Sequence, residues 1–336
     1  MRLTMFSRLL IVVAVVAAAF FAFRYFAGQS GTTAPKDNTE VTDNQTDTPA
    51  DAEEETAPQA DNKTTTADPG FNFVPPAPVN GQLKGVVELG ASGFNSFIVR
   101  IDEEKRWSLE KSEFGSSLVH ENMATPTDIR EGLKQYIANM LNFGVAGKNI
   151  HFVTSSGAAK SEVTQKISAG LKQLGYVVNP VTATREGELA FRATMPEAYE
   201  NDAFVVDIGS SNTKVSWMEG GQIKSFETYG SKYFQKGVDD TKVYNEVKVL
   251  AERIPADRRL VCFIIGGTPF DLAKTHRNGK ERYTVLKAPT NYDVTEQKTK
   301  SGVNIYKAIQ DATGTDTFVF DWDSNFTIGF LLTLPK

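Results

Sequence analysis

Apolar positions divide the chain into three stretches of different character. Residues 9–23 form an unbroken apolar run, whereas residues 29–80 contain few large apolar side chains. From about Lys84 onward, apolar residues recur with the periods of strands and helices. Only this third stretch can bury a core of its own, because the other two have no alternating apolar pattern. The sequence therefore predicts a folded region at residues 81–336, preceded by two segments of a different kind.

The apolar run predicts a membrane anchor or signal peptide within residues 1–28. Fifteen apolar residues are short for a span, but the apolar character resumes after Arg24, whose side chain can snorkel. Bulky aromatic residues crowd the end of the run, where small residues favour cleavage, so an uncleaved anchor is preferred. Arg2 and Arg8 precede the run and favour a cytoplasmic N-terminus. We expect a single-pass protein of the bacterial inner membrane with a periplasmic globular domain.

Residues 29–80 are predicted to be a disordered acidic linker. They hold ten acidic residues against Lys36 and Lys63, and are rich in Thr, Asp, Ala, Asn and Pro. Such a composition cannot bury enough apolar surface to offset chain entropy, and repulsion between like charges extends the chain. Residues 71–76, Phe-Asn-Phe-Val-Pro-Pro, either dock on the folded region or simply end the linker. In both cases we expect the linker to hold the folded region away from the bilayer.

The folded region is electrically balanced. Residues 81–336 contain 31 basic and 31 acidic residues. A protein that binds nucleic acid normally has a basic surplus, so the composition argues against a nucleic-acid partner. Cys262 is the only cysteine and lies in an apolar run, which predicts a buried thiol. No internal disulfide can form, and no Cys/His cluster suggests zinc.

The periodic pattern predicts two α/β lobes with mixed sheets. The elements predicted for lobe I, residues 81–196, are strands at 85–89 and 94–101, a helix from Pro126 to Gly144, a strand at 150–154, a helix through Leu174, a strand at 176–178 and a helix at 186–195. Those predicted for lobe II, residues 197–336, are strands at 203–208 and 213–218, a third ending near Tyr229, a helix at 238–254, a buried strand at 260–265 and closing segments at 318–320 and 326–334. A strand–turn–strand opening thus begins both halves.

Two similar turns follow the first strand of each lobe. Each has an acidic residue at the end of a buried strand, then Gly and small residues, as in Val87-Glu-Leu-Gly-Ala-Ser-Gly-Phe94 and Val206-Asp-Ile-Gly-Ser-Ser-Asn-Thr213. Small residues let backbone N–H groups approach a phosphate, and a nearby carboxylate can hold Mg²⁺ through water. A single turn of this kind is more often an ordinary hairpin. Two turns at matching positions predict an anion pocket between the lobes.

These motifs, in this order, resemble the exopolyphosphatase/guanosine pentaphosphate phosphohydrolase family of the actin–Hsp70–hexokinase superfold. Residues 87–94 and 206–213 resemble its two phosphate loops, and residues 152–159 resemble its Ala-Thr-Ser-Ala segment. Residues 184–189 fall where that family keeps its catalytic glutamate, and residues 265–268 resemble its Gly-Gly-Thr turn. The resemblance implies two ribonuclease H-like lobes around a central cleft.

The resemblance also implies hydrolysis of a phosphoanhydride, with polyphosphate or a phosphorylated small molecule as ligand. Glu188 or Glu186 would orient or deprotonate water, and Glu88 and Asp207 would hold Mg²⁺ or Mn²⁺. An exported location favours polyphosphate over nucleotides. The residues implied in phosphate binding are Gly90, Ala91, Ser92, Gly93, Thr154, Ser155, Gly209, Ser210, Ser211, Asn212, Thr213 and Gly267.

Departures from the family pattern leave alternatives open. Glu88 stands where the family has Asp, Ser210 and Ser211 replace glycines, and the first glutamate of the catalytic pair aligns with Gly187. These changes suit a catalytically degenerate relative that senses a phosphorylated ligand or joins an envelope complex. An actin-like filament or scaffold is a third hypothesis. Acidic residues in a first helical turn also need no catalytic role, because the helix dipole favours them there.

Overall fold

A computed structural model of the protein describes residues 71–90, 93–114 and 126–335. The predicted anchor at residues 1–28, residues 29–70 of the predicted linker, and the loop residues Ala91 and Ser92 lie outside the described residues. Within the described part, no helix has the length and apolar character needed to cross a bilayer.

Ten residues assigned to the linker belong to the folded region. Phe71 and Phe73 pack their rings on Tyr199 and Tyr283, with centroid distances of 5.2–6.1 Å. Phe71 also meets the ring of Phe263 edge-on at 5.6 Å. The packed chain therefore begins before residue 81, the boundary expected from composition.

The first sheet has five strands in the order β3-β2-β1-β4-β5. Strands β1, β2 and β3 are antiparallel neighbours, whereas β1, β4 and β5 run parallel. The strands are β1 (Gln82–Gly90), β2 (Gly93–Ile101), β3 (Trp107–Phe114), β4 (Ile150–Thr154) and β5 (Val178–Pro180), and the accompanying helices are α1 (Pro126–Phe143), α2 (Glu162–Gln173) and α3 (Ala183–Thr194).

The second sheet has six strands in the order β10-β11-β9-β6-β7-β8. Strands β6, β7 and β8 are antiparallel neighbours, β6, β9 and β11 run parallel, and β10 is an antiparallel edge strand. The strands are β6 (Ala203–Ile208), β7 (Asn212–Glu219), β8 (Gln222–Tyr229), β9 (Val261–Gly266), β10 (Tyr283–Val285) and β11 (Thr317–Asp321), and the helices are α4 (Asp240–Ala251), α5 (Gly267–Lys274), α6 (Gln297–Thr313) and α7 (Phe326–Thr333).

The two sheets share one topology. In each, an antiparallel three-strand meander is followed by two strands parallel to its first strand, and the second sheet adds β10 at its edge. This confirms the predicted mixed α/β fold with two sheets. It also places the turn that follows β1 and the turn that follows β6 at equivalent positions.

Helices α3 and α7 pack on each other, with α7 against β1 and β2 of the first sheet and α3 against β6, β7 and β8 of the second. Phe326, Ile328 and Leu331 of α7 share a buried cluster with Val86 of β1 and Leu189 of α3. The sequence division counted α7 with lobe II, but its apolar side chains cover the sheet of lobe I. Residue 325, at the start of this helix, is thereby brought to the junction of the lobes.

Several elements differ from the expectation. Strand β3 was not predicted, because Trp107 is its only fully buried residue and the strand lies at the sheet edge. The strand expected at 176–178 lies at Val178–Pro180. Leu174 follows α2 and is 39% exposed, so it does not belong to the buried face expected for that helix. Helices α5 and α6 were also not predicted.

The contact between α3 and α7 predicts a large effect of Gly329→Ala. A Cβ at position 329 would overlap the carbonyl oxygen of Leu189, so the substitution should lower the free energy of unfolding by about 2–3 kcal/mol. Gly147→Ala is the matched control, because its Cβ would meet only Leu141 Cδ2 at 3.9 Å. Urea denaturation followed by circular dichroism checks both variants. Equal stabilities of the two would contradict this packing.

Candidate functional site

A cavity of about 440 Å³ lies where the carboxyl ends of parallel strands from both sheets meet. Gly90 ends β1, Ser155 follows β4, Gly209 follows β6, and Gly267 follows β9. Open α/β sheets bind ligands at this edge of their parallel strands. The predicted site residues that line the cavity are Glu88, Gly90, Ser155, Glu186, Asp207, Gly209, Ser210, Ser211, Asn212 and Gly267. Gly90, at the end of β1, and Gly209, after β6, therefore line one space.

Three of the predicted site residues do not line this cavity: Thr154, Glu188 and Thr213. Gly93 begins β2 and pairs with Gly90 in the strand register. The hydroxyls of Thr154 and Thr213 are buried in the protein interior. Glu188 lies in a separate, larger groove of about 1320 Å³ and pairs with Arg185 at 2.7 Å. Residues two apart on a helix point to opposite sides, so α3 can direct only one of its two glutamates into the cavity. That residue is Glu186.

The second turn is closed by its own backbone. The Gly209 amide donates to the carbonyl oxygen of Asn212 at 3.1 Å, and the Ser231 amide donates to the Gly209 carbonyl at 2.9 Å. A Cβ at position 209 would lie 2.7 Å from the Asn212 oxygen. Glycine is required here because any side chain would overlap that oxygen. The N–H of Gly209 is already used within the turn.

A buried ion pair stands beside this turn. The Lys214 ammonium donates to Glu186 Oε1 at 2.7 Å and lies 4.0 Å from Asp207 Oδ2. The other oxygen of Glu186, Oε2, accepts from the Ser156 amide at 3.0 Å and from the Ser156 hydroxyl. The side chains of Lys214 and Glu186 are only 4% and 3% exposed. Glu186 thus connects Ser156, which follows β4 of the first sheet, to Lys214 of β7 in the second sheet.

Glu88 is held from both lobes as well. Its Oε2 accepts from Asn95 Nδ2 at 3.0 Å and from Asn325 Nδ2 at 3.2 Å. Asn325 also caps α7, because its side-chain oxygen accepts from the Thr327 amide at 2.8 Å. Asn325 therefore both caps helix α7 and holds the carboxylate of Glu88 in the cavity.

Comparisons with known proteins rest on structure alone. No sequence profile of a known family matches the chain, and no curated protein sequence matches it. Among solved structures, an exopolyphosphatase from Cytophaga hutchinsonii aligns with a TM-score of 0.59 and 16% identity, covering 75% of this chain and 97% of that one. The PPX-GPPA enzyme of Aquifex aeolicus aligns with a TM-score of 0.57 and 15% identity, covering 75% and 99%.

The chain has the fold of the Ppx/GppA phosphatases. An exopolyphosphatase-like protein gives a further match, with a TM-score of 0.55, 13% identity, and 76% and 98% of the two chains covered. The fold expected from the ordered motifs is therefore confirmed, although sequence identities this low show the fold alone.

Burial and mutual repulsion raise the pKa values of two carboxyl groups in the cavity of this Ppx/GppA fold. Desolvation raises the pKa of Glu88 to about 7. Repulsion by Glu186 and Asp207 adds to this increase, whereas the hydrogen bonds from Asn95 and Asn325 oppose it. Desolvation likewise raises the pKa of Asp207, and Lys214 only partly opposes it. Burial alone would lower the pKa of Lys214, but the carboxylates around it outweigh burial and raise it. Lys214 is therefore an ammonium at neutral pH.

The residues present fit a divalent cation with few protein ligands. Within the described ranges, no three His, Cys, Asp or Glu side chains are arranged as metal ligands. Magnesium sites that act on phosphates commonly use one or two carboxylates, with water and phosphate oxygens completing the shell. Glu88 and Asp207 both line the cavity and suit that sparse set. When bound, the cation would neutralise phosphate charge.

Lys214 was not among the predicted site residues. A signal for its role was present, because the hairpin formed by β6 and β7 pairs Asp207 directly with Lys214. Cross-strand neighbours of opposite charge interact. Asn95 and Asn325 were missed, since their role depends on how the two lobes meet.

A group of aromatic residues that line the cavity was also missed. It comprises Phe97, Phe114, Phe270, Phe320, Trp322 and Phe326. Phe114 of the first lobe meets Phe270 of the second at 6.2 Å, and Phe270 meets Trp322 at 5.4 Å. The cavity lining therefore combines aromatic side chains with charged ones.

The raised pKa of Glu88 predicts a specific pH dependence of stability. The folded state holds a proton on Glu88 up to about pH 7, whereas an unfolded glutamate releases it near pH 4.3. Ionisation of Glu88 therefore lowers the free energy of unfolding as pH rises through this window. Glu88→Gln should remove this loss, so the variant gains about 3 kcal/mol relative to wild type between pH 4.5 and 8. Urea denaturation of both proteins at several pH values checks this. If their free energies of unfolding changed in parallel with pH, the prediction would be contradicted.

Proposed function

We propose that the domain binds the phosphoryl chain of polyphosphate or another phosphoanhydride, together with Mg²⁺ or Mn²⁺, in the cavity between its lobes. The observation that carries the proposal is that Gly90 and Gly209, which belong to two different lobes, line one cavity. Its volume of about 440 Å³ is within the range of small-molecule sites.

The charges of the cavity support binding as a metal complex. Of the described residues that line it, five are acidic and two are lysines: Glu88, Glu186, Asp207, Asp271 and Asp321, against Lys214 and Lys298. A free polyanion would be repelled by this surplus of carboxylates. A divalent cation beside Glu88 and Asp207 would offset the repulsion.

Hydrolysis is the activity that we propose for this complex. Of the two glutamates implied in catalysis, only Glu186 lines the cavity, and it can orient a water molecule toward a phosphate held at the turns. Phosphoryl transfer needs positioning and charge neutralisation more than covalent chemistry. Lys214 would hold Glu186 in place through the hydrogen bond to its Oε1.

A binding-only role is the second candidate. Both oxygens of Glu186 already accept hydrogen bonds, from Lys214 and from Ser156. A carboxylate whose two oxygens are both engaged has less capacity to accept a proton from water. In this role the domain would sense a phosphorylated ligand or join an envelope complex.

We also propose the placement expected from the sequence. The apolar run at residues 9–23 would anchor the chain in the bacterial inner membrane, with the domain in the periplasm. That placement favours polyphosphate as the ligand. Protease accessibility of the domain in intact spheroplasts tests this orientation.

Phosphate release by the full-length chain tests the hydrolytic function. With polyphosphate and Mg²⁺ or Mn²⁺, Glu186→Gln should lower the rate of release by about 100-fold or more, because a water-orienting group is lost. Glu188→Gln is the matched control, two residues away and outside the cavity, and should retain the wild-type rate within about 3-fold.

Calorimetric titration with tripolyphosphate separates the remaining outcomes. Binding without phosphate release would support the sensor role. Equal loss of activity in both glutamate variants would contradict the assignment of Glu186. Neither binding nor release, in a chain shown to be folded, would contradict the proposed function as a whole.

A further inference from the structure

Arg282 and Asp321 form a buried two-point ion pair beside the cavity. Arg282 Nε donates to Asp321 Oδ1 and Arg282 Nη2 donates to Asp321 Oδ2, each at 3.0 Å. The side chain of Asp321 is fully buried and lines the cavity, whereas Arg282 lines the groove that also contains Glu188. A planar guanidinium that binds both oxygens of a carboxylate fixes its orientation as well as its distance. Arg282 therefore orients Asp321 from outside the cavity.

The guanidinium of Arg282 is itself held by aromatic rings. Its Cζ lies 4.3 Å from the ring centroid of Trp107, a buried residue of β3 in the first sheet. It also lies 5.3 Å from the ring centroid of Tyr283. A guanidinium is attracted to the face of an aromatic ring, and stacking limits its rotation. The orientation that Arg282 gives to Asp321 is therefore well defined.

Asp321 begins a short segment, residues 321–325, that ends at the contact with Glu88. Besides the guanidinium, Asp321 Oδ1 accepts from the Asp323 amide at 3.0 Å. Asn325, two residues further on, donates to Glu88 Oε2 at 3.2 Å. The residues of this segment that line the cavity are Asp321, Trp322, Ser324 and Asn325. The side chain that Arg282 orients thus fixes the start of the segment that carries Asn325.

We propose that Arg282 is a positioning residue for Glu88. By orienting Asp321, it holds residues 321–325 in the conformation in which Asn325 reaches the Glu88 carboxylate. Arg282 itself is not among the described residues that line the cavity. This role rests on the contacts alone, whereas its effect on a bound ligand rests on the proposed function.

A purely stabilising role of Arg282 makes a different prediction. Within the described ranges, Arg282 and Asn325 have no hydrogen-bond or ion-pair partner in common. Substitutions at independent sites change stability additively. If Arg282 positions Asn325, however, loss of Arg282 already removes the contact with Glu88, and a second substitution at Asn325 then costs little. Additivity therefore separates the two roles.

Thermal denaturation of the full-length chain, with Asn325→Ser in two backgrounds, tests the proposal. Serine caps a helix about as well as asparagine but lacks the amide that donates to Glu88. In the wild type it should lower the melting temperature by roughly 3–6 °C, because a hydrogen bond to a buried carboxylate is lost. After Arg282→Lys, which keeps the charge but not the two-point geometry, it should lower the melting temperature by less than about 1 °C.

Arg277→Lys is the matched control background. Arg277 also lies over a tryptophan ring, that of Trp322 at 3.8 Å, but it donates to the Glu281 carbonyl rather than to Asp321. In this background Asn325→Ser should keep its full effect. Should Arg282→Lys not fold, Arg282→Gln combined with Asp321→Asn replaces it, because the combination leaves no unpaired charge in the interior.

Two results would overturn the positioning role. One is an effect of Asn325→Ser that is as large in the Arg282 variant as in the wild type. The other is a wild type whose melting temperature Asn325→Ser leaves unchanged, since the contact with Glu88 would then have no measurable strength.

Calorimetric titration with Mg²⁺ and tripolyphosphate distinguishes this proposal from the proposed function. We expect Arg282→Lys and Asn325→Ser each to weaken binding by about 10-fold, and the double variant by no more than either. If the wild type does not bind while the melting shifts are non-additive, the proposed function fails and the role of Arg282 stands. If the wild type binds while the melting shifts are additive, the role of Arg282 alone fails.

Discussion

The burial of three carboxylates around one ammonium is the constraint on which the rest of this structure depends. Glu186 pairs with Lys214 of the second sheet and also accepts from Ser156, which follows β4 of the first sheet. A buried pair of this kind costs desolvation, and loss of one partner leaves an uncompensated charge. The relative position of the lobes is therefore coupled to the electrostatic balance of the cavity.

The fold serves this arrangement by topology. The same strand order in both sheets places the carboxyl ends of parallel strands at one junction. Helix α3 directs Glu186 into the cavity and Glu188 away from it. Helix α7 covers the first sheet with its apolar residues, and Asn325 at its start binds Glu88. The packing of helix α7 on the first sheet thus helps to position Glu88, one of the two proposed metal ligands.

The parts of the fold that sequence could predict are those whose burial follows a simple period. Strand β6 and its hairpin partners alternate or run apolar, and their expected bounds lie close to those observed. Helix α7 is apolar on all sides and has no helical period to read. Helix α6 buries small residues, including Ser301 and Gly302, among few large ones. Edge strand β3 buries too little to give a signal.

The site likewise has parts that the sequence could predict and parts that it could not. An internal repeat was enough to predict that the turns at Gly90 and Gly209 share a pocket, because equivalent positions in duplicated sheets meet at one junction. The choice between Glu186 and Glu188 depends on the rotation of α3, which its sequence does not determine. Whether a strand lysine such as Lys214 is buried depends on which helix covers the sheet.

The central claim is that the two turns form one anion pocket beside Lys214. A crystal structure of the full-length chain grown with Mg²⁺ and tripolyphosphate tests it most directly. The account predicts phosphate density between Gly90 and Gly209, with an oxygen within hydrogen-bond distance of the Lys214 ammonium. Ordered tripolyphosphate bound elsewhere, such as in the groove beside Glu188, with the cavity containing only water, would contradict it.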